Sequence, residues 1–326
     1  MTDIGAAYTA SVAVLTLLAG LLYIRVWRAR SGNRTPTGFG ALLAPIVLGA
    51  AIVAGAATVK LLALGVLSFG TALYWIDDAI ELPAKIRMAI ALVLGTAMGA
   101  LFIVDAGTPS LASWIGICLL AGLTCVVLTN LVNFYDGADL NLALYAAMTC
   151  SLVLLYEPAD RGWAAVASAA LAFLLPFAIL NSRPSTIYLG DGGSFAFAGL
   201  LTALGTSFVL APASVPPEAA IPSALPALDV AYVLLVRIAA GHDLLTRNWL
   251  HLYQQLNLRF RGFGYLLPQI ANVALCLAAS AALQDLGLTR LAAVIVSGAL
   301  VTVPLYFACR AKFVPRVIEP GVGEFR

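Results

Sequence analysis

The sequence predicts an all-α polytopic membrane protein with about eleven transmembrane helices. The composition is one reason, because 62% of the 326 residues are hydrophobic and only 10% are charged, with a mean hydropathy of +0.97. Soluble proteins carry about 25% charged residues. The other reason is that apolar segments of spanning length recur along the chain. One soluble core could not bury so many apolar side chains, so lipid must solvate most of them.

Eleven segments approach the roughly 20 mostly apolar residues that a membrane-spanning helix needs. In chain order they cover residues 5–26, 39–57, 59–76, 86–104, 111–130, 140–156, 163–180, 194–211, 225–240, 264–283 and 291–309. Several are short, which predicts tilted helices or local thinning of the bilayer. Two pairs of segments are separated by very few residues, so ten is the alternative count. Residues 1–10 lack the basic start of a signal peptide, and the first segment is predicted to be a permanent span.

The distribution of Lys and Arg predicts the orientation, because cytoplasmic segments carry an excess of both. With the N-terminus outside, fourteen of the eighteen lie in inner segments: Arg25, Arg28, Arg30, Arg34, Lys85, Arg87, Arg183, Arg247, Arg259, Arg261, Arg310, Lys312, Arg316 and Arg326. Only Lys60, Arg161 and Arg290 fall outside, and Arg237 lies within a span. We therefore expect an outer N-terminus and a cytoplasmic C-terminus.

The remaining composition excludes several classes of function. A net charge of +2 without a basic stripe does not indicate nucleic-acid binding, and five scattered cysteines with two histidines do not favour a zinc site. No internal repeat is visible, so a single integral-membrane domain is predicted over residues 1–326. Its polar motifs cluster in inner loops at about 27–38, 77–86, 131–140, 181–194 and 241–263.

The first cluster is an aspartate pair, Asp77 and Asp78, at the inner end of the third segment. Adjacent carboxylates at a membrane boundary repel each other and lose hydration, so they persist beside a cation or as acid–base groups. A solvated loop is the alternative interpretation of the pair alone.

The second cluster runs from Asn130 to Asp139 at the end of the fifth segment and includes Asn133, Asp136 and Gly137. Its amides and carboxylates can ligate a hard cation and bind a nucleoside. Helix capping by one of the two aspartates is the alternative.

The third cluster extends from Asn181 to Ser194 and contains Tyr188, Gly190 and Asp191. A carboxylate between glycines at the start of a helix suits phosphate oxygens together with a metal ion. A turn followed by a helix cap is the alternative interpretation.

The fourth cluster is the inner loop 241–262, which holds Arg247 and His251. Its arginines could bind a diphosphate, or simply follow the positive-inside bias. Two charges inside the ninth span, Asp229 and Arg237, lie about two helical turns apart and are assigned no chemistry.

Together the clusters resemble the polyprenyl-phosphate N-acetylhexosamine-1-phosphate transferases, in glycosyltransferase family 4. The stretch from Asp77 to Leu82 is similar to the family's DDxxEL motif, and Arg87 falls where the family often has lysine. The stretches Asn130 to Asp139 and Tyr188 to Ser194 resemble NxxNxxDGxD and aromatic-x-GDxGS. Three further matches are Thr35 to Gly38 with a TPT-glycine loop, Asn181 to Pro184 with Asn-x-x-Pro, and His251 to Leu256 with the HLYQRL box of the O-antigen-initiating branch.

The resemblance implies a reaction in which a polyprenyl phosphate attacks the β-phosphorus of a UDP-sugar. UMP leaves, and a polyprenyl-diphospho-sugar that initiates cell-envelope glycan synthesis remains. Its implied partners are a UDP-amino sugar, undecaprenyl phosphate and the lipid bilayer, and a homodimer is compatible with it. The resemblance also implies a location in the bacterial inner (plasma) membrane, with the active site facing the cytoplasm. GlcNAc, GalNAc, FucNAc and QuiNAc all remain open as the sugar.

The resemblance also implies roles for individual residues. Catalysis is assigned to Asp77, Asp78 and Arg87, and Mg²⁺ (with Mn²⁺ as a substitute) to Asn133 and Asp191. Substrate binding is assigned to Asn130, Asp136, Asp139, Asn181, Tyr188, Gly190, Arg247 and His251. Two departures from the family pattern are Leu140, where a second glycine is usual, and Asn248 with Trp249, in place of His-Arg. A multi-pass secondary transporter is the alternative function.

Overall fold

The computed structural model describes residues 3–31, 35–107, 110–156, 160–182, 185–242, 249–260 and 262–314. Its helices are α1 (Asp3–Ser31), α2 (Leu43–Val53), α3 (Thr58–Ile80), α4 (Ala84–Ala106), α5 (Leu111–Tyr135), α6 (Asn141–Leu155), α7 (Arg161–Asn181), α8 (Gly190–Leu210), α9 (Ala224–Ala239), α10 (Leu252–Arg259), α11 (Leu267–Asp285), α12 (Arg290–Ser297) and α13 (Val303–Phe313). A π-helical turn, Gly298–Thr302, joins α12 to α13. These ranges contain no strand, which confirms the all-α prediction.

Nine helical segments within the described ranges are long and apolar enough to cross a membrane. Two shorter apolar helices, Phe39–Val53 and Asn141–Leu155, coincide with predicted segments 39–57 and 140–156. Every predicted segment therefore lies on an apolar helix, and the polytopic membrane class is confirmed. The number of helices that cross the bilayer and their orientation stay predictions.

At the end where the polar motifs lie, the helices extend several residues beyond the predicted apolar segments. Helix α3 continues to Ile80 and includes the aspartate pair, α5 continues to Tyr135, and α8 already begins at Gly190. Backbone hydrogen bonds between residues four apart do not require apolar side chains, so a helix outlasts its hydrophobic stretch. The motifs that were predicted to be loops therefore lie largely on the terminal turns of helices.

Two other boundaries also need correction. The predicted loop 241–263 contains a helix, α10, and the ninth apolar segment begins at Pro217 rather than at residue 225. Residues 217–223 form 3-10 turns that carry Pro217 and Pro222. Proline lacks a backbone N–H and is uncommon inside helices, which is why the predicted segment starts only at residue 225.

Packing divides the chain into two compact units, Met1–Ala219 and Ala220–Arg326. In the first unit, α8 packs against α2, α3, α4 and α5, while α7 packs against α1, α2 and α6. Close approach depends on small residues, as is common between membrane helices. A Cβ on Gly95 would lie 2.4 Å from the Cβ of Cys125, and one on Gly199 would lie 2.3 Å from Cδ1 of Leu67.

The second unit is built around α11, which packs against α12, the π-helical turn and α13. Helix α13 also packs against α9 and α10. Large apolar side chains such as Leu235, Leu286 and Ile295 are exposed on this unit, and a bilayer would solvate them. The assignment of residues 1–326 to one transferase domain stays a prediction.

Candidate active site

The aspartate pair lies on the last turn of α3. Asp77 is buried and its Oδ1 accepts a hydrogen bond from the backbone N–H of Leu82. Glu81 ends the helix in the left-handed region, with φ of 52°, which brings the chain back toward Asp77. Among the described residues, the other oxygen of Asp77, Oδ2, has no hydrogen-bond partner.

Arg87, at the start of α4, lies between two carboxylates that are far apart in sequence. Its Nη1 is 3.5 Å from Oδ2 of Asp77 and 3.3 Å from Oδ2 of Asp191. The Arg87 backbone carbonyl accepts a 2.7 Å hydrogen bond from the hydroxyl of Tyr74, whose ring stacks on Phe195 of α8. The guanidinium thus offsets the repulsion between carboxylates on α3 and α8.

Asp78 binds the N-terminus of α8. Its Oδ1 accepts from the backbone N–H of Asp191 at 3.0 Å, and its Oδ2 accepts from that of Gly192 at 3.4 Å. These are N–H groups that an α-helix leaves without an internal partner, and a carboxylate there is stabilised by the helix dipole. The predicted phosphate-binding N–H groups of α8 are therefore already bonded to a carboxylate of the chain.

The loop of residues 35–38 packs against the chain at the N-terminus of α8. The backbone N–H of Gly40 donates to the carbonyl of Leu189 at 2.9 Å, and that of Tyr188 donates to the carbonyl of Pro36 at 2.8 Å. Gly190 has φ of 76°, and a Cβ on it would lie 2.6 Å from Oδ2 of Asp78. Glycine is required at this position for both backbone conformation and space.

Asp136 follows the last turn of α5 and reaches α8. Its Oδ2 accepts a 3.0 Å hydrogen bond from the hydroxyl of Ser194. Burial raises the pKa of the Asp136 carboxyl to about 8, although the Ser194 hydroxyl opposes the shift. The carboxylates of Asp78 and Asp191 also raise it, so they lie within electrostatic range. Asn133 lies one turn earlier on α5, and its backbone carbonyl accepts from the Asp136 N–H.

Two of the predicted substrate-binding amides make bonds within the protein. The Nδ2 of Asn130 donates to the carbonyl of Val126 on its own helix at 2.8 Å. Asn181 is buried, its Oδ1 accepts from the Leu140 N–H at 2.6 Å, and its Nδ2 donates to the Ile187 carbonyl at 2.8 Å. This geometry favours a structural role for Asn181, which connects two loops.

Leu140 has a left-handed backbone, with φ of 63°. This conformation explains why the family pattern has glycine there, since a Cβ makes it costly by about 1–2 kcal/mol. Asp139, beside it, is partly buried and has interactions of its own. Tyr188 is 42% exposed and its hydroxyl accepts from Ser185 at 3.2 Å, so its ring remains accessible for stacking.

The second unit has a buried cluster of its own. Asp229 of α9 bonds to His251, and Tyr306 and Arg310 of α13 also contact its carboxylate. Neither Tyr306 nor Arg310 was predicted from the sequence. Tyr306 lies inside an apolar segment, and Arg310, which follows that segment, was attributed to the positive-inside bias. Arg247 lies outside the described residues.

Within the described part of the chain, no group of three or more His, Cys, Asp and Glu side chains could hold a metal ion by itself. The carboxylate oxygens of Asp77 and Asp191 and the amide oxygen of Asn133 are nevertheless the kind of donor that a hard cation prefers. Mg²⁺ commonly takes only one or two carboxylates and completes its shell with water and substrate phosphates. Oδ2 of Asp77 accepts no hydrogen bond among the described residues, although Nη1 of Arg87 lies 3.5 Å from it, and this donor set fits Mg²⁺.

The model of glycosyl transferase family 4 matches residues 58–209, the part of the chain that carries the aspartate pair, Arg87, Asp136 and Asp191. The chain is also similar to phospho-N-acetylmuramoyl-pentapeptide-transferases. It is 26% identical over 196 residues to that of Gloeothece citriformis, 30% over 192 to that of a Nostoc species and 28% over 192 to that of Trichormus variabilis. Each match covers 52% of this chain and 52% of the relative, so the chain spans about half the length of these curated relatives.

Proposed function

From the match of residues 58–209 to the model of glycosyl transferase family 4, we propose that the protein is a sugar-phosphate transferase of that family. It moves a HexNAc-1-phosphate, or a related amino-sugar 1-phosphate, from a UDP-sugar to undecaprenyl phosphate. UMP is released, and the polyprenyl-diphospho-sugar initiates a cell-envelope glycan. The HLYQ stretch from His251 favours the O-antigen-initiating branch, whereas the curated relatives point to cell-wall biogenesis.

The observation that carries the proposal is the convergence of Asp77, Asp78, Arg87, Asp136 and Asp191 from four helices. Membrane-embedded carboxylates are costly and are retained where they bind charged ligands or one another. Both substrates are anionic phosphates, so a site for them needs cations as well as acids. Arg87 is the protein's own cation at this place.

Asp191 and Asn133 are the residues that would hold Mg²⁺. When bound, Mg²⁺ would neutralise phosphate charge and so allow two anions to approach. Arg87, 31% exposed in its side chain and shared between Asp77 and Asp191, would bind the β-phosphate. Asp78 holds the N-terminus of α8, and thereby Asp191, in place.

In the reaction, an oxygen of the lipid phosphate forms a bond to the β-phosphorus of the UDP-sugar. The bond from that phosphorus to the bridging oxygen breaks, and UMP leaves with the electron pair. Asp77 would accept the last proton of the lipid phosphate where one remains, although a second phosphate pKa near 6 leaves little to remove at pH 7. Asp78 acts by positioning.

The nucleoside is assigned to the neighbouring loops. The exposed ring of Tyr188 would stack on the uracil, and Asp139 would hydrogen-bond its polar edge. Asp136, whose pKa is raised to about 8, would donate or accept a hydrogen bond rather than contribute a full charge. The roles of His251 and Arg247 in substrate binding stay predictions from the sequence. The whole site is proposed to face the cytoplasm, where UDP-sugars are made.

The test uses detergent-purified full-length protein, undecaprenyl phosphate, Mg²⁺ and a panel of UDP-amino sugars. We expect UMP release that requires the lipid phosphate, together with a radiolabelled polyprenyl-diphospho-sugar. Detergent leaves no closed compartment, so a transporter would give no product in this assay. Absence of lipid product with every sugar, from protein that remains folded, would contradict the proposal.

A further inference from the structure

A chain of hydrogen bonds runs from α1 to the aspartate pair within the first unit. The hydroxyl of Tyr23 on α1 donates to the backbone carbonyl of Thr37 at 2.7 Å and also forms a side-chain hydrogen bond with Trp75 of α3. The hydroxyl of Thr37 lies 3.5 Å from Oδ1 of Asp78, a contact near the upper limit for a hydrogen bond. The same oxygen accepts from the backbone N–H of Asp191 at the start of α8. Three contacts therefore connect Tyr23 with the proposed metal ligand.

Segment 35–40, which includes the acceptor carbonyl, is bonded directly to the chain that precedes α8. Its backbone donates to the carbonyls of Tyr188 and Leu189 and accepts from the N–H of Tyr188. The two stretches also touch closely, because a Cβ on Gly190 would lie 2.5 Å from the backbone nitrogen of Gly38. A displacement of segment 35–40 would therefore displace the first turn of α8 as well.

The ring of Tyr23 is held by aromatic neighbours that do not depend on its hydroxyl. Its centroid lies 5.7 Å from that of Trp27 and 5.8 Å from that of Phe39. Phe39 in turn stacks on Phe173 of α7 at 5.7 Å. Contacts of this kind are made by the rings themselves. Tyr23→Phe therefore removes the hydrogen bonds while it keeps the packing of α1 against its neighbours.

We propose that Tyr23 is a positioning residue of the transfer reaction, whose hydroxyl holds segment 35–40 against Asp78 and the start of α8 and thereby keeps Asp191 in place for Mg²⁺. The part that concerns transfer rests on the function proposed above, whereas the hold on the start of α8 does not. The family model matches residues 58–209, so this contribution of α1 comes from outside the matched region. A hydroxyl that only strengthens the packing of α1 is the competing explanation.

Amide hydrogen exchange of the full-length protein tests this hold without any substrate. In Tyr23→Phe we expect faster exchange than in the parent protein in peptides that cover residues 35–40 and 188–192, because both stretches lose a tether. Tyr8→Phe is the matched control, since the Tyr8 hydroxyl on the same helix also donates to a backbone carbonyl, that of Ile46, at 2.7 Å. The control should leave both stretches unchanged. Unchanged exchange in Tyr23→Phe overturns the proposal, and so does an equal increase in the two variants.

Mg²⁺ titrations separate positioning from stability. We expect Tyr23→Phe to raise the Mg²⁺ concentration for half-maximal UMP release by about 2- to 10-fold, the effect of one net hydrogen bond, with kcat at saturating Mg²⁺ near that of the parent protein. Tyr8→Phe should leave this concentration unchanged. A merely structural role would reduce the active fraction and so lower kcat at an unchanged Mg²⁺ requirement, which overturns the proposal. If the parent protein turns over no UDP-sugar, the proposed function fails, while hydrogen exchange still decides whether Tyr23 holds the start of α8.

Discussion

Arg87 lies between two carboxylates of the first unit, and these neighbours limit what its guanidinium can bind. Its guanidinium is shared between the Asp77 and Asp191 carboxylates, at 3.5 and 3.3 Å. Lysine, which the resemblance places at this position, supplies one compact charge, whereas arginine presents several donors in a fixed plane. Arginine can therefore contact both carboxylates and still present a donor to a phosphate.

We expect Arg87→Ala to lower the transfer rate by at least about 100-fold, the effect of removing a donor that stabilises developing negative charge. Arg87→Lys should retain much more activity because it keeps the cation between Asp77 and Asp191. UMP release at varied UDP-sugar concentration measures both. Lys85→Ala, which removes an exposed cation from the same helix, is the matched control. Equal losses in the Ala and Lys variants would show that geometry rather than charge matters here.

Asp191 is the proposed metal ligand and lies in the first turn of α8. We expect Asp191→Asn to abolish turnover while expression and folding stay near normal, because the amide keeps the shape but loses the charge that Mg²⁺ requires. Asp105→Asn, at an exposed aspartate near the end of α4, should leave activity unchanged. Substantial turnover by Asp191→Asn at ordinary Mg²⁺ would place the metal elsewhere.

Asn133 should make a weaker contribution to the same ion, because an amide oxygen carries no net charge. We expect Asn133→Ala to lower activity less than Asp191→Asn does and to recover partly as Mg²⁺ is raised. The apparent Mg²⁺ requirement, measured from UMP release, is the readout. A defect that excess Mg²⁺ leaves unchanged would assign Asn133 a role other than metal binding.

At the scale of elements, the site is made where helices begin and end. Helix α3 contributes Asp77 and Asp78 at its C-terminal turn, and α8 presents its N-terminal N–H groups to Asp78. The positive end of the α8 dipole and the negative charge of the Asp78 carboxylate make this contact favourable. The contact depends on Gly190, which leaves room for the Asp78 carboxylate.

Gly190→Ala should therefore disrupt both α8 capping and activity. The added methyl would meet Oδ2 of Asp78 at 2.6 Å in a left-handed backbone, a conformation that costs other residues about 1–3 kcal/mol. We expect a lower thermal midpoint by size-exclusion melting and little UMP release. Gly205→Ala, on the same helix with nothing within 4 Å of the new Cβ, should match the parent protein. A normal thermal midpoint for Gly190→Ala would contradict the proposed contact.

At the scale of the whole molecule, lipid as solvent determines where polar groups can lie. The polar residues of the first unit gather at helix ends rather than at mid-span, as expected of a site at the bilayer surface. The excess of Lys and Arg in the same connections predicts that this surface is cytoplasmic.

Labelling of single cysteines with a membrane-impermeant reagent tests this orientation in intact cells and inverted vesicles. We expect Lys85→Cys, Gly137→Cys and His242→Cys, all at exposed positions, to react only from the cytoplasmic side. Ala213→Cys, in the connection between α8 and α9 at the opposite end of α8 from Asp191, should react only from outside. Four of the five native cysteines are buried, which keeps the background low. Reaction of Lys85→Cys and Gly137→Cys from opposite faces would rule out one site for both motifs.

The fold class and the motif residues could be read from the sequence because both depend on local patterns. Hydropathy over about 20 residues identifies a membrane helix wherever it packs, and all eleven predicted segments lie on apolar helices. The ends of these helices were misplaced, since hydropathy falls before the backbone hydrogen bonds stop. The aspartate pair on α3 shows this error.

The sequence by itself determined a polytopic helical protein with acidic and amide motifs between its apolar segments, because the solvent and the residue types are properties of short stretches. Only the tertiary structure decided what those residues do to one another. Asp78 accepts a hydrogen bond from the N-terminus of α8, and Asn181 accepts one from the Leu140 backbone. Asp229 contacts the ring of His251. These partners lie between 22 and 113 positions apart. Packing alone brings them together, so no local pattern of residues could have predicted the pairs.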